Sequence, residues 1–488
     1  MQTARHGWRH ALRWSALALL VSGCTAPPPV PVAPQAVRAE ATALPPTVTR
    51  APLTPTPLPL PTATPAPTSA PRTPPPAPTA TATPLPPPTA VTVLPTPTLP
   101  ALDEAQRAAI FDRVWELIAA HYLYPDFGGV DWVAVGQRYR AAALQAPTTA
   151  AFYAQIKAML GELGDQHSRF EQPQEVAWQE ALANGAVAYV GIGIEQVPVD
   201  EGLLVTLVLP DGPAASAGVR PRDLIVAVDG RPARAHEAAI AGPEGTQVRL
   251  TLRDPEGRQR EVLVERRAVA FRYRPEARLL PRTRFGYVRI PSFWAEDMDE
   301  QTVAALRDLL RASDGRLRGL ILDLRGNGGG WRSVVQGLLS QFVAGNVGQF
   351  YTQRDAYSFT VEPGELYVEL RALPLVVLVD RDTESYAEIF AAVLQASGRA
   401  RVIGINTAGN TETIFAYDLD DGSRVWIAQE GFRLPDGTNL EGRGVIPDRS
   451  IVVDWARFSE ARDPHLLAAI QALRFWPAAE PQGAGDAP

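Results

Sequence analysis

Ser385 is the residue best placed for covalent chemistry in this 488-residue chain. It follows the apolar run Leu375–Val379 and immediately precedes Tyr386-Ala387-Glu388-Ile389, so it stands between a buried strand and the start of a helix. A helix N-terminus favours an alkoxide, and the Tyr386 amide can face the same developing oxyanion. Taken alone, a serine before a helix is more often just an N-cap. A serine nucleophile also needs a base. The chain holds a single lysine, Lys157, in a helical stretch far upstream, and beyond its first fifteen residues four histidines: His121, His167, His236 and His465. Neutral imidazole has the right pKa to take a serine proton near neutral pH. A second chemical candidate is Asp323-Leu324-Arg325-Gly326-Asn327-Gly328-Gly329-Gly330, a glycine-rich strand-to-helix turn. Its backbone N–H groups suit an oxyanion, although any tight loop with positive φ also uses glycine. No metal-ligand spacing, P-loop or dinucleotide fingerprint occurs, which leaves a cofactor-free hydrolase as the simplest enzyme.

These residues need elements to hold them. Ile110, Phe111, Val114, Trp115 and Ile118 recur at helical spacing, and a second helix is expected over Thr149–Leu163 after a loop with Pro125 and Gly128-Gly129. The punctuated segment Gly164-Asp165-Gln166-His167-Ser168 follows. Short β-branched runs between turn residues, Leu203–Leu209, Leu224–Val228 and Val248–Leu252, predict a small β domain over 186–268. Further on, strands and helices alternate: Gly286–Ile290, helix Met298–Ala312, Leu320–Leu324, helix Ser333–Val343, Leu375–Val379, helix Ala387–Ala396 and Arg401–Ile405. That alternation predicts an α/β core with crossover connections, closed by a helix at Pro464–Arg474.

The N-terminal hundred residues have a different composition. Arg5, His6, Arg9, His10 and Arg13 precede a short apolar run, Ala16–Val21, too short to span a bilayer. The run ends in Val21-Ser22-Gly23-Cys24, which resembles a bacterial lipobox and would make Cys24 the lipidated first residue. Cys24 is the one cysteine, so the mature domains have no disulfide and no cysteine-based metal site. More than half of the 47 prolines fall before residue 101, in a Pro/Thr/Ala/Leu tract that cannot build helix or sheet. Extended at ~3.1 Å per residue, it would form a stalk on the order of 200 Å long. The net charge of −7 and the lack of a basic patch argue against nucleic-acid binding.

Two stretches carry a family resemblance. Gly212-Pro213-Ala214-Ala215-Ser216-Ala217-Gly218-Val219, Asp223-Leu224-Ile225 and Val228-Asp229-Gly230 look like the centre of a bacterial PDZ domain. Tyr189, Val190, Gly191, Ile192 and Gly193 resemble its carboxylate-binding loop and the approach to its peptide-binding strand, which accepts an extended peptide by β-augmentation. Phe285–Phe293, the glycine-rich turn and Leu378–Ile389 resemble the S41 peptidases, the family of the carboxyl-terminal processing proteases. The resemblance implies Ser385 as nucleophile, with Gly329, Gly330 and the Tyr386 amide at the oxyanion. The usual lysine base is missing: Asn410, in Thr407-Ala408-Gly409-Asn410-Thr411-Glu412, occupies its place. Tricorn-like members use His and Glu instead, with the histidine in an Asp-x-His segment; Asp165-Gln166-His167 matches it. The resemblance makes His167 the base and Glu441, in Leu440-Glu441-Gly442-Arg443-Gly444-Val445, the third member, with Glu412 as the other candidate.

The expected organisation is multidomain α+β. It comprises a lipoprotein signal at 1–24, a stalk at 25–100, a helical N-terminal part of the peptidase at 101–185 and a PDZ domain at 186–268. An α/β (ClpP/crotonase-like) S41 catalytic core at 269–478 and a tail at 479–488 complete it. The expected function is that of an extracytoplasmic serine endopeptidase, lipid-anchored to a bacterial membrane through Cys24, acting without cofactor or metal on unfolded proteins or peptide C-termini. The alternative is a catalytically inactive, peptidase-like PDZ scaffold, suggested by the lost lysine and by Glu384 and Tyr386 where the family commonly has alanine.

Overall fold

A computed structural model describes Leu99 and residues 101–183, 189–269 and 273–476. Cys24, the signal and nearly all of the stalk lie outside these residues. Among the described residues no helix is long and apolar enough to cross a membrane.

The organising element is a six-stranded sheet, in the order Glu276–Leu279, Phe285–Arg289, Gly319–Asp323, Leu375–Val379, Arg401–Gly404 and Arg449–Ser450. All neighbours are parallel except the first pair. Gly319–Asp323 and Leu375–Val379 are buried at every position, as expected of central parallel strands covered on both faces. The period of two then divides the strand residues between two cores. Val288, Leu320, Leu322, Leu375, Val377 and Val379 pack against helices Met298–Ala312, Arg332–Leu339 and Tyr386–Ala396. Tyr287, Ile321, Val376, Leu378 and Ile403 face helix Pro464–Arg474 on the other side.

A second sheet wraps the long strand Arg424–Arg433, which pairs with Thr413–Asp418, Gly345–Tyr351 and Arg169–Glu171; Ala356–Val361 extends it. The segment expected to be helical is therefore not purely so. Arg169–Glu171 contributes a strand to the peptidase sheet, with Arg169 opposite Trp426, and it carries the chain directly out of the His167 turn. Ahead of that strand the segment has three α-helices, Glu104–His121, Trp132–Leu144 and Thr149–Gly161, and a further one, Pro173–Ala183, follows it. The middle one of the three falls where a loop was expected. Its N-cap, Asp131, accepts from the Ala134 amide, and the helix buries only Trp132, Val135, Gly136 and Ala143, too sparse a stripe to give a strong period.

Residues 194–265 form an antiparallel sheet in the order Ile194–Val199, Gly202–Val208, Leu224–Val228, Gln247–Arg253 and Gln259–Glu265. Ile194–Val199 lies at its edge. Arg222 ties this domain to the core, donating to the Phe458 carbonyl and to Asp463 at 2.8 Å each, and Asp463 in turn pairs with the fully buried Arg325 at 2.9 Å.

Candidate active site

Ser385 sits at the N-terminus of helix Tyr386–Ala396 with φ 54° and ψ −127°. A non-glycine residue at positive φ is uncommon and stores strain that its surroundings must hold. Glu388 does much of the holding. Its buried carboxylate accepts from the Ser385 amide at 3.0 Å, the Gly409 amide at 2.7 Å, the Asn410 amide at 2.9 Å and the Thr407 hydroxyl at 2.5 Å. One side chain thus clamps the serine elbow to loop 407–410. Burial pushes the Glu388 pKa up, and the four donors work against that shift. The sequence carried a signal for it that went unused: Ser385-Tyr-Ala-Glu388 has the S-x-x-E spacing of a capping box.

The glycine-rich turn abuts this elbow. A Cβ on Gly329 would lie 2.7 Å from Ser385 Cβ and 3.0 Å from the Tyr386 nitrogen, so only glycine fits. The expected oxyanion donors divide. The Gly329 amide donates to Asn327 Oδ1 at 2.9 Å and is not free. Among the described residues the Gly330 and Tyr386 amides have no such internal acceptor.

His167 is held by its own turn: the His167 and Ser168 amides both donate to Asp165 Oδ1, at 2.9 and 2.6 Å. The Asp-x-His spacing is therefore a local turn that fixes the backbone at His167. His167 Nε2 lies 3.6 Å from Glu441 Oε1 and 3.7 Å from Glu412 Oε2. Both candidate acids reach the imidazole. Their other oxygens are occupied: Glu441 Oε2 accepts from the Thr411 amide at 2.6 Å and its hydroxyl at 3.1 Å, and Glu412 Oε1 accepts from the Tyr124 hydroxyl. Tyr124 is a partner that sequence reasoning missed, since nothing local marks it.

The two acids differ electrostatically. Burial raises the Glu412 pKa. Burial also opposes ionisation of Glu441, but His167 and Thr411 outweigh it and hold that pKa below the ordinary value. For His167 itself, burial pulls the pKa down while Glu441 and Glu412 pull harder, and the net direction is up. Of the two acids, Glu441 is therefore the one whose surroundings favour the ionised form.

One loop links the two halves of the site. Asn410 bonds through its amide to Glu388 beside Ser385, and the next residue, Thr411, bonds to Glu441 beside His167. Gly409 at φ 79° lets loop 440–445 dock there, since a Cβ would come 2.8 Å from the Arg443 and Gly444 nitrogens. Glu384, next to the serine, is close enough to His167 to feel its charge. No hydrogen bond joins the Ser385 hydroxyl to the imidazole among the described residues; the ring presents Nε2 to the glutamates. Of the remaining histidines, His465 is buried against the Ile451 carbonyl, His236 contacts the Pro232 carbonyl and His121 stacks on Tyr417.

In the PDZ region, Tyr189, Val190 and Gly191 are not an open loop. They pair as a strand with Arg267–Val269, leaving Ile192 and Gly193 as the connection into the edge strand Ile194–Val199. Gln196 on that edge donates to Glu237 at 3.2 Å.

Sequence profiles of known families match three parts of the chain: the tricorn protease C1 domain over residues 103–161, a PDZ domain over 204–254 and peptidase family S41 over 284–451. The carboxyl-terminal-processing protease of Picosynechococcus sp. is 27% identical over 380 residues, covering 74% of this chain and 88% of that protein. The chloroplastic carboxyl-terminal-processing peptidase 2 of Arabidopsis thaliana is 29% identical over 390 residues, covering 74% and 72%. Among solved structures, the photosystem II D1 C-terminal processing protease superposes with a TM-score of 0.52 at 26% identity, over 71% of this chain and 93% of that one. Residues 284–451 thus form a peptidase family S41 core, of the serine-type family of the carboxyl-terminal processing proteases, and residues 204–254 belong to a PDZ domain.

Proposed function

We propose that the protein is an extracytoplasmic serine endopeptidase that cuts unfolded or tail-presenting polypeptides with a Ser385/His167/Glu441 triad. The observation that carries this reading is the 3.6 Å approach of His167 to Glu441, with Thr411 and Asn410 running from that carboxylate to the strained Ser385 elbow. A lysine base of the usual layout has no residue to supply it.

In the reaction, Ser385 Oγ attacks the scissile carbonyl carbon as its proton passes to His167. With Nε2 on the glutamates, Nδ1 is the nitrogen left for that proton. Glu441 stabilises the imidazolium. The carbonyl oxygen becomes the oxyanion, held by the Tyr386 and Gly330 amides at the helix N-terminus. Collapse breaks the C–N bond, and His167 returns the proton to the departing amine, leaving an acyl-Ser385. Water, deprotonated by His167, then releases the new carboxyl terminus and regenerates the serine. The edge strand Ile194–Val199 would hold a substrate tail by strand addition. The signal-like Cys24 segment and the proline-rich stalk would keep the enzyme outside the cytoplasm on a lipid anchor.

The test is hydrolysis of casein by the purified chain. Ser385→Ala and His167→Ala should each abolish it; full activity in His167→Ala would overturn the triad. The inactive-scaffold reading is favoured by one observation, the imidazole turned to the glutamates without a bond to Ser385. Fluorophosphonate labelling separates the two: labelled Ser385 supports the peptidase, whereas no labelling and no turnover support the scaffold.

A further inference from the structure

We propose that His167, Glu412 and Glu441 form a zinc-binding site, and that a bound zinc ion switches the peptidase off. The switching part rests on the reading of His167 as the base; the site itself does not. The three side chains come from segments far apart in sequence, and for that reason no ligand spacing announced them. Among the described residues their ligand atoms form a group lying within 4.8 Å of one another.

The separations are the first argument. His167 Nε2 stands 3.6 and 3.7 Å from the two carboxylate oxygens, too long for direct hydrogen bonds. A tetrahedral zinc ion with bonds of roughly 2.0–2.2 Å holds neighbouring ligand atoms about 3.4 Å apart. The third separation, between the two acids, is within 4.8 Å, so the carboxylates would draw together to share one ion.

The second argument is an unused buried acceptor. The Glu412 side chain is 3% exposed, and its Oε2, aimed at His167 Nε2, has no hydrogen-bond partner. An unpaired buried carboxylate oxygen is costly, and a cation or a proton must answer it.

The third argument is outer support. Tyr124 holds the other oxygen of Glu412, and Thr411 holds the other oxygen of Glu441, so each acid is left with one aimed oxygen. Metal sites are built this way, with outer partners orienting the ligands. One imidazole with two carboxylates suits zinc better than calcium or magnesium, which prefer all-oxygen shells. Glu441, with its side chain 24% exposed, leaves a route for the ion and space for a water as fourth ligand. Zinc on Nε2 would displace the carboxylates from their role beside the imidazolium. Its own charge would also make Nδ1 a poor proton acceptor.

The test is a calorimetric zinc titration of the full chain near neutral pH, without substrate, with calcium as the comparison. One saturable zinc site per chain is expected, unaffected by excess calcium. His167→Gln and Glu412→Gln should each weaken it at least ~10-fold. A site built on His6, His10 or Cys24 would survive both substitutions. The site is overturned if the wild-type chain shows no saturable binding. It is equally overturned if both variants, folded by circular dichroism, bind as tightly as wild type. Casein hydrolysis that continues undiminished with the site filled overturns the switch, and a loss that a chelator reverses supports it. A chain that binds zinc through His167 and Glu412 but never hydrolyses casein would sink the peptidase reading and leave the metal site standing.

Discussion

Glu441 Oε1 lies 3.6 Å from His167 Nε2 while its Oε2 is pinned by the Thr411 amide at 2.6 Å, so one carboxylate orients the imidazole and anchors the loop that leads to the serine. Most of the site's expected behaviour follows from that double attachment.

Glu441→Gln should lower kcat far more than it raises KM, because the amide still fits but cannot stabilise an imidazolium. Loss of the third triad member costs about 10⁴-fold in a well-studied serine protease, and a fall on the order of 10²–10⁴ is expected here. Steady-state kinetics on an unfolded protein or peptide check it. A loss confined to KM would assign Glu441 to substrate binding.

The pH profile follows from the His167 shift. Burial alone would depress its pKa, but the two glutamates carry it above the ordinary value, so kcat/KM should rise with pH through a midpoint above ~6.5. Removing the Glu441 charge should move the midpoint down. The same shift bears on stability. Because the folded-state pKa is the raised one, the contribution is fully present below the ordinary imidazole pKa and is lost as pH rises through the folded value. A midpoint that Glu441→Gln leaves in place would contradict the assignment.

Glu388→Ala should destabilise the fold as well as abolish activity. It strips the acceptor from four donors, the Thr407 hydroxyl and the amides of Ser385, Gly409 and Asn410. Unpaired buried donors cost about 1–3 kcal/mol each when water cannot reach them, so a loss on the order of 3 kcal/mol is expected in denaturant unfolding. A variant of wild-type stability would mean that the loop is held elsewhere.

Gly329→Ala places a methyl group 2.7 Å from Ser385 Cβ at a backbone φ of 83°. Left-handed strain alone costs on the order of 1–3 kcal/mol, and displacement of Ser385 should remove fluorophosphonate labelling even in the folded fraction.

Asn410→Ala should be mild. Asn410 acts through its backbone amide, which alanine keeps, and its Oδ1 is buried without a partner. Stability and kcat should stay within roughly twofold of wild type, as for a side chain that makes no interaction of its own. A large drop would show that the residue in the vacated lysine position has taken over a chemical role.

The strands and helices of the catalytic core were legible because their signals are local. Leu375–Val379 is an uninterrupted β-branched and aliphatic run bounded by turn residues, and Pro464–Arg474 has both a proline at its start and an apolar period. The second sheet was not legible. Arg169–Glu171 is three residues long and is a strand only because Trp426, Val425 and Arg424 lie opposite. The pairing at the entry to the PDZ edge was not legible for the same reason: Tyr189–Gly191 is extended in either case, and only Arg267–Val269 turns it into a paired strand.

For the site, the sequence by itself determined the chemical alphabet. It supplied one serine at a strand-to-helix junction, one lysine too remote to serve it, and an Asp-x-His segment whose spacing suits a tight local turn. Those are facts of residue type and short-range geometry. It could not choose between Glu412 and Glu441, because that choice depends on separations between side chains that lie hundreds of positions from His167. The tertiary structure brought both to the imidazole and distinguished them by what holds their second oxygens, Tyr124 for one and Thr411 for the other. Burial and charge, which exist only once distant segments meet, then favoured ionisation of Glu441 and left Glu412 with a buried oxygen that accepts no hydrogen bond.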